Sequence, residues 1–206
     1  MSAVLERVRV VQMGMSPYAS TLQAMREFTA RRGADTPDEL WLLGHPPVYT
    51  LGLAANAAHG PKAGCNIPVL RVERGGEVTY HGPGQIVLYT LVDLARRGIK
   101  VKRFVAMLEQ SVIDLLGSRA ERKAGAPGIY VGGAKIAALG IRVSRGCAFH
   151  GLALNVDMDL APFSAINPCG YPGLQVTQTS DLGIEGGKDL LGRKLAGILI
   201  RKLESA

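Results

Sequence analysis

The sequence predicts an α/β (α+β) fold in which a mixed β-sheet is flanked by helices. Short runs rich in Val, Ile and Leu, bounded by Gly and Pro, recur along the chain and are typical of strands. Other segments repeat apolar residues at the three- and four-residue spacing of amphipathic helices. Strands and helices do not alternate regularly, so a mixed sheet is favoured over a doubly wound parallel one.

The first half of the chain predicts a strand, a helix and four further strands. The first strand is expected at residues 7–12. Ser16 and Pro17 are suited to the N-cap and first turn of a helix that ends by Gly33. Its apolar face consists of Tyr18, Leu22, Met25 and Phe28. The further strands are expected at residues 40–43, 48–51, 69–73 and 86–93, with turn-rich segments at 45–47 and 56–64.

The second half predicts two helices with three strands between them. The clearest helix spans residues 101–118. Its apolar side consists of Phe104, Leu108, Val112 and Leu115. Strands are expected at 128–132, 135–144 and 147–156, the last two joined by a hairpin turn at Arg145 and Gly146. A final helix is expected over residues 188–203.

Length and composition favour one compact domain over residues 1–206. A chain of this length with 47% hydrophobic residues can bury a sizeable core. Glu6 and Arg7 lie where a secretory signal would need apolar residues, and no run of about 18 apolar residues occurs. We therefore expect a cytoplasmic protein with no membrane association.

A net charge of +7 favours acidic partners. Aromatic residues make up only 5% of the chain and the basic pairs are scattered, which argues against nucleic acid. An acidic protein partner is the better prediction. For any single basic pair, a solvated charge that keeps the protein soluble is the default interpretation.

The most unusual segment is RGGEVTYHGPGQ at residues 74–85. Four glycines around a Tyr and a His suggest a backbone that turns sharply or lies close against a ligand. This segment alone is equally consistent with the wall of a substrate site and with an ordinary Gly-rich hairpin.

The three cysteines form no C-x-x-C pair, and the four histidines show no ligand spacing, so neither a metal site nor a cofactor is predicted. Cys65 and Cys147 are expected to be buried and to pack as small hydrophobic residues. Cys169 instead lies among two prolines and two glycines at residues 164–173, in a loop where a nucleophile could be presented.

A thiol at Cys169 needs an activator, because a free cysteine with a pKa of about 8.5 is mostly protonated at neutral pH. His81, His150 and Lys135 are the candidates. Lys135 lies among small and apolar residues, where an ammonium group is poorly solvated unless an anion is near. An edge-strand lysine that reaches solvent is the alternative interpretation.

Four segments together resemble the bacterial octanoyltransferases, also called lipoate protein ligases B. They are RGGEVTYHGPGQ at 74–85, GAPGIYVGGAKIAALG at 125–140, FHGLALNV at 149–156 and INPCG at 166–170. The resemblance covers most of the chain, up to about Gly173. It implies the fold of biotin and lipoate ligase catalytic domains, with a smaller second sheet beside the mixed sheet.

The resemblance also implies an activity. Members of this family transfer an octanoyl group from octanoyl acyl carrier protein to a specific lysine of lipoyl domains, in 2-oxoacid dehydrogenase complexes and in the glycine cleavage H protein. This is the first step of endogenous lipoate biosynthesis. The family's acyl-thioester nucleophile corresponds to Cys169, and the lysine that lowers its pKa to Lys135. The substrate-binding positions correspond to Arg74, Gly75, Gly76, Glu77, Val78, Thr79, Tyr80, His81, Ala138, Leu139, Gly140, Gly151, Leu152 and Ala153.

Three alternatives remain. An ATP-dependent lipoate or biotin ligase shares the fold, but G-x-x-x-x-G-K-[ST] is absent, and so is a Gly/Arg-rich loop like that of the biotin ligases. A cysteine hydrolase could use Cys169 with His150 or His81 and would release free octanoate. A non-catalytic binding protein would leave Lys135 and Cys169 as a coincidence.

Overall fold

A computed structural model describes residues 8–61 and 65–206, and ten strands and three α-helices lie within these residues. Seven strands form the large sheet: β1 (Arg9–Met15), β2 (Glu39–Gly44), β6 (Gln85–Asp93), β7 (Ala120–Lys123), β8 (Ala126–Val131), β9 (Ala134–Ser144) and β10 (Cys147–Asn155). Their order across the sheet is β1-β2-β6-β10-β9-β8-β7. Strands β1 and β2 are parallel and the other neighbours are antiparallel, so the predicted mixed sheet is confirmed.

Alternation along the central strands divides the core between the two faces of this sheet. In β2, Leu40 and Leu42 face one side while Trp41 and Leu43 face the other. Helices α2 (Val101–Leu116) and α3 (Gly187–Glu204) cover the first face, and α1 (Tyr18–Arg31) packs on the second. Apolar residues on both faces are what a sheet covered on both sides requires.

The smaller sheet has the order β4-β3-β5 and lies beside the large one. It consists of β3 (Val48–Leu51), β4 (Val69–Arg71) and β5 (Val78–His81). Tyr49 and Tyr80 pack with Phe163 and Ile166 in a separate apolar cluster. Short 3₁₀ helices at Ala161–Ala165 and Pro168–Gly170 therefore rest against the small sheet. This places the INPCG segment next to the RGGEVTYHGPGQ segment.

Several predicted boundaries were wrong by a few residues, and two strands were missed. Strand β1 continues to Met15, beyond the predicted end at Gln12, and Arg7 lies outside the described residues. Strand β4 ends at Arg71, two residues early. Strands β5 and β7 were not predicted. The predicted turn-rich segment 56–64 includes residues 62–64, which also lie outside the described part of the chain.

Within residues 8–61 and 65–206, no helix combines the length and the apolar character needed to cross a membrane.

Candidate active site

An apolar cavity of about 200 Å³ opens where the two sheets meet. Most of its lining residues come from three segments: Arg74 to His81, the middle of β9 and the middle of β10. Gly140 on β9 lies opposite Gly151 on β10, and Ala138 lies opposite Ala153. Small residues on two paired strands leave room above the sheet, and this room forms the body of the cavity.

Two glycines allow the backbone segments around this cavity to approach each other. A Cβ at Gly140 would lie 2.7 Å from the backbone oxygen of Gly75. A Cβ at Gly151 would lie 2.1 Å from the backbone oxygen of Leu88. Both distances are shorter than real carbon–oxygen contacts, so any larger residue would push these segments apart. The two glycines are therefore needed for the close contact between these backbone segments as well as for the volume of the cavity.

Arg74 connects the small sheet to the cavity wall. Its side chain is buried, and Nη2 donates to the carbonyl oxygen of Thr50 at 2.7 Å and to Thr50 Oγ1 at 2.8 Å. Nη1 donates to the carbonyl oxygen of Gly75 at 3.0 Å. The guanidinium thus fixes the start of the Gly-rich segment and brings a positive charge to the cavity wall.

Three buried histidines lie in or behind the cavity wall: His81 and His150 line the cavity, and the His45 ring packs against His81. The Nδ1 of His45 donates to the carbonyl oxygen of Ser16 at 2.6 Å, and its Nε2 accepts from the hydroxyl of Tyr89 at 2.7 Å. The Nδ1 of His81 lies 2.8 Å from Oε1 of Gln85. Burial lowers the pKa of His45 to about 4 and that of His81 well below its ordinary value. Both rings are therefore neutral at physiological pH.

His150 differs from the other two histidines. It is 1% exposed, and neither ring nitrogen has a hydrogen-bond partner among the described residues. Its backbone φ is +61°, although it lies within β10. Burial lowers its pKa to about 3. A buried, strained and unpaired histidine on a cavity wall is unusual for a purely structural residue.

Lys135 is buried at the start of β9, with 4% of its surface exposed. Its Nζ donates to the carbonyl oxygen of Pro127 at 2.7 Å and lies 5.4 Å from the centre of the Tyr130 ring. A Cβ at Gly128 would lie 2.7 Å from Nζ, so the glycine leaves the space that the ammonium occupies. The alternative of an edge lysine that reaches solvent is therefore wrong, because this side chain is held inside the protein.

Cys169 occupies the middle of the 3₁₀ helix Pro168–Gly170, and its side chain lies outside what the structure describes. Its neighbours contact other parts of the site. Pro168 lines a small cavity together with Lys135, and the hydroxyl of Tyr171 donates to the carbonyl oxygen of Gly125 at 3.0 Å. Farther along, the backbone N–H of Lys135 donates to the carbonyl oxygen of Gln175 at 2.8 Å. The cysteine-bearing segment is thus attached to β9 at the lysine.

Comparison with known proteins identifies the family. A family model described as "Lipoyl protein ligase A/B catalytic domain" matches residues 17–198. The chain is 57% identical to an octanoyltransferase from Thiobacillus denitrificans, over 95% of this chain and 91% of the relative. It is 54% identical to an octanoyltransferase from Dechloromonas aromatica, over 95% and 96% of the two chains. The chain belongs to the octanoyltransferase family. The predicted enzyme class, an acyltransferase of the lipoyl ligase and transferase type, is thereby confirmed.

Solved structures share the fold of this octanoyltransferase family member. A lipoate-protein ligase A bound with ATP superimposes with a TM-score of 0.77 at 15% identity, over 97% of this chain and 94% of that one. A biotin protein ligase from Aquifex aeolicus in complex with biotin and ATP superimposes with a TM-score of 0.58 at 10% identity, over 96% and 71%. The predicted biotin and lipoate ligase fold, including the smaller sheet, is confirmed.

Most of the substrate-binding positions predicted from the octanoyltransferase family line the same cavity. These are Arg74, Gly76, Glu77, Val78, Thr79, His81, Ala138, Leu139, Gly140, Gly151, Leu152 and Ala153. Gly75 and Tyr80 do not line it. Gly75 contributes the carbonyl that accepts from Arg74, and the Tyr80 ring packs against Phe163. That the lining residues bind substrate stays a prediction.

The cavity has further walls that the sequence did not reveal. They are provided by Tyr18, Val87, Tyr89, Gly125, Pro127, His150 and Tyr171. Gly125, His150 and Tyr171 lie within or beside the quoted motifs and could have been added on that ground. Tyr18, on α1, was assigned to a helix core face. The sequence pattern shows that such a ring is buried, but not whether it also lines a cavity.

Proposed function

We propose that the chain transfers an octanoyl group from octanoyl acyl carrier protein to a specific lysine of lipoyl domains, through a thioester on Cys169. The observation that carries this proposal is the meeting of three features: the Cys169 segment, the buried ammonium of Lys135 and one end of an apolar cavity. Pro168 lines the small cavity that contains Lys135, and Tyr171 lines the larger one. Cys169 and Lys135 are also the two residues for which the sequence predicts a catalytic role.

In the first half-reaction, the Cys169 thiolate attacks the carbonyl carbon of the carrier thioester. A new sulfur–carbon bond forms, the carbon–sulfur bond to the pantetheine arm breaks, and the pantetheine thiolate leaves and is protonated. The role proposed for Lys135 is to stabilise the Cys169 thiolate before attack and to supply that proton. The acyl chain then occupies the apolar cavity between β9 and β10.

In the second half-reaction, the ε-amine of the acceptor lysine attacks the Cys169 thioester. A proton leaves the nitrogen, the carbon–sulfur bond breaks, and an amide forms. Lys135, having given up its proton, accepts the one released by the amine. Donor and acceptor use the site in turn, and the net charge of +7 suits acidic carrier and lipoyl domains. No cofactor takes part in this scheme, and we place the reaction in the cytoplasm.

An ATP-dependent ligase is the second candidate, because solved structures that share this fold include lipoate and biotin ligases. Such an enzyme activates a free acid as an adenylate and needs no cysteine nucleophile. The two candidates therefore differ in donor, in nucleotide requirement and in covalent intermediate.

The deciding experiment measures the intact mass of the protein after incubation with octanoyl acyl carrier protein, followed by addition of a lipoyl domain without ATP. We expect an octanoyl adduct on the wild type, its discharge onto the lipoyl domain, and no adduct on Cys169→Ser. Cys147→Ser is the matched control and should acylate normally. Transfer that requires octanoate and ATP would assign the protein to the ligases, and release of free octanoate without an acceptor would assign it to the hydrolases.

A further inference from the structure

His150 has an orientation that strand alternation does not predict. On β10, Ala148, Leu152 and Leu154 face the core under α2 and α3, while Phe149 and Ala153 face the opposite side. An even-numbered residue should therefore face the helices. Yet the His150 ring stacks on the adjacent Phe149 ring, with centroids 5.0 Å apart. The φ of +61° breaks the alternation and brings the imidazole to the cavity side.

This arrangement is costly for stability, and its cost is not offset by hydrogen bonds to the protein. A non-glycine residue with positive φ inside a strand is strained. Both ring nitrogens are buried, and neither has a hydrogen-bond partner among the described residues. Tyr89 meets the ring edge to face at 6.0 Å and provides only an aromatic contact. The polar atoms of this ring can therefore be satisfied only by what enters the cavity.

The position of His150 along the sheet matches the end of a medium-length acyl chain. The end of the Lys135 side chain lies beside Gly128 and near the backbone oxygen of Ala137 on β9, whereas His150 lies opposite Ile141 on the same strand. Ala137 and Ile141 are four residues apart, which corresponds to about 13 Å along β9. An extended eight-carbon acyl group measures about 9 Å from its carbonyl carbon to its methyl carbon. The remaining space suits a hydrogen-bonding group or a water molecule between the methyl carbon and the imidazole.

We infer that His150 limits the length of the acyl chain, by presenting a polar end wall that must keep a hydrogen-bonding partner. This inference rests on the proposed function. An octanoyl group leaves room for water to pair with the imidazole. A longer alkyl chain displaces that water and offers no hydrogen bond in exchange, so its extra methylenes do not improve binding. A chain of the same added length that ends in a hydroxyl group can replace the water.

Nonanoyl and 8-hydroxyoctanoyl groups test this inference because they differ only in a terminal methyl against a terminal hydroxyl. Each is supplied on acyl carrier protein, with octanoyl as the reference, and transfer to a lipoyl domain is followed by mass as the ratio of kcat/KM values. Wild type should prefer 8-hydroxyoctanoyl over nonanoyl by roughly tenfold, since a site that hydrogen-bonds a hydroxyl rejects the analogue that lacks it. This measurement needs no variant.

Two variants then assign the effect to the imidazole. His150→Leu and His150→Gln have similar volume and bear the same strain at positive φ, but only the glutamine keeps hydrogen-bonding atoms. We expect His150→Leu to shift the ratio at least tenfold toward nonanoyl and His150→Gln to keep the wild-type order. Thermal unfolding checks that both variants are folded.

The outcomes separate the two proposals. If wild type transfers octanoyl but handles the two nine-atom chains within twofold, the role of His150 is overturned while the transferase stands. A folded His150→Leu with the wild-type ratio overturns it as well. If wild type moves no acyl group to a lipoyl domain, both proposals are overturned.

Discussion

Lys135 is a cation held inside the protein, beside the segment that presents Cys169. It is 4% exposed and donates to the carbonyl oxygen of Pro127. Burying a charged group costs desolvation free energy. A buried lysine is therefore expected either to have a functional role or to be stabilised by strong interactions with its neighbours. In the proposed mechanism the use is stabilisation of the thiolate.

Replacement of Lys135 by glutamine should slow acylation of Cys169 in a pH-dependent way. A nearby cation lowers a thiol pKa by about one to two units from its ordinary value of about 8.5, so its loss reduces the thiolate fraction at pH 7 by roughly 8- to 25-fold. The deficit should shrink as pH rises toward 9, because the thiol then ionises without help. The measurement is the rate of octanoyl adduct formation by intact mass, at pH values from 6 to 9.

Lys123→Gln is the control for this prediction. Its ammonium lies 5.8 Å from the centre of the same Tyr130 ring, but the side chain is exposed and its charge is screened. We expect near wild-type rates from this variant. A Lys135→Gln deficit that is the same at every pH would contradict the electrostatic role.

A residue of the site could be predicted from the sequence where its side chain differs in chemical character from the residues around it. A lysine among small apolar residues and a cysteine among prolines and glycines stand out in one sequence without any structure. His150 was named from the sequence only as one of three possible activators of Cys169, because the properties that distinguish it are its positive φ and its unpaired nitrogens. Both are consequences of tertiary packing, and the sequence gives no local sign of either.

At the scale of elements, buried Asp38 joins three parts of the chain. Its carboxylate is fully buried and accepts from Arg32 at the end of α1 and from Arg96 and Arg97 after β6, at 2.5 to 3.0 Å. The backbone N–H of Asp93 also donates to it, at 2.8 Å. These arginines come from two basic pairs that had been interpreted by default as solvated charges. For Arg32 and Arg97 that interpretation was wrong, since both side chains are largely buried.

Asp38→Asn should destabilise the fold by about 3 to 5 kcal/mol, because it leaves buried guanidinium groups without their counter-ion. The measurement is the free energy of unfolding in urea. Glu27→Gln is the control, since its pair with Arg31 spans 3.6 Å between exposed side chains and should change stability by less than about 0.5 kcal/mol. Equal losses for the two variants would show that the Asp38 cluster adds nothing beyond a surface pair.

Element prediction succeeded where apolar periodicity was strong and failed where it was weak. Helix α2 and strands β2, β6, β9 and β10 carry clear patterns and were found within a few residues. Strand β7 contains Glu121, Arg122 and Lys123, all exposed, as an edge strand often does. The glycines on both sides of strand β5 obscure its strand pattern in the sequence. The strand is stabilised by its pairing with β3, which the composition of the segment does not indicate.

At the scale of the whole molecule, the sequence predicted the mixed sheet and its flanking helices, but not the meeting of the two sheets at a cavity. That cavity depends on Gly140 and Gly151, where backbones 60 to 70 residues apart come into contact. Such contacts are not local and leave no periodic pattern. The extent of a single domain over residues 1–206 stays a prediction.

The buried neutral histidines should make global stability depend on pH in the mildly acidic range. An unfolded histidine titrates near pH 6.5, while the pKa of His45 in the folded state is about 4. Between these values the unfolded state binds more protons, so stability is complete above about pH 6.5 and is lost as pH falls toward 4. At pH 5, His45 alone should cost about 2 kcal/mol, and His81 and His150 act in the same direction.

Urea unfolding at pH 7.5 and pH 5.0 measures this dependence. The lowered pKa of Glu73, which accepts from Arg26, affects stability only below the ordinary carboxyl range and so falls outside this window. His45→Gln provides the matched variant, because an amide can replace the donor to Ser16 but cannot titrate. Its loss of stability between the two pH values should be about 2 kcal/mol smaller than that of the wild type. An equal loss of stability in both proteins would contradict this prediction. It would mean that His45 accepts a proton in the folded protein, and that water reaches its ring more easily than its burial implies.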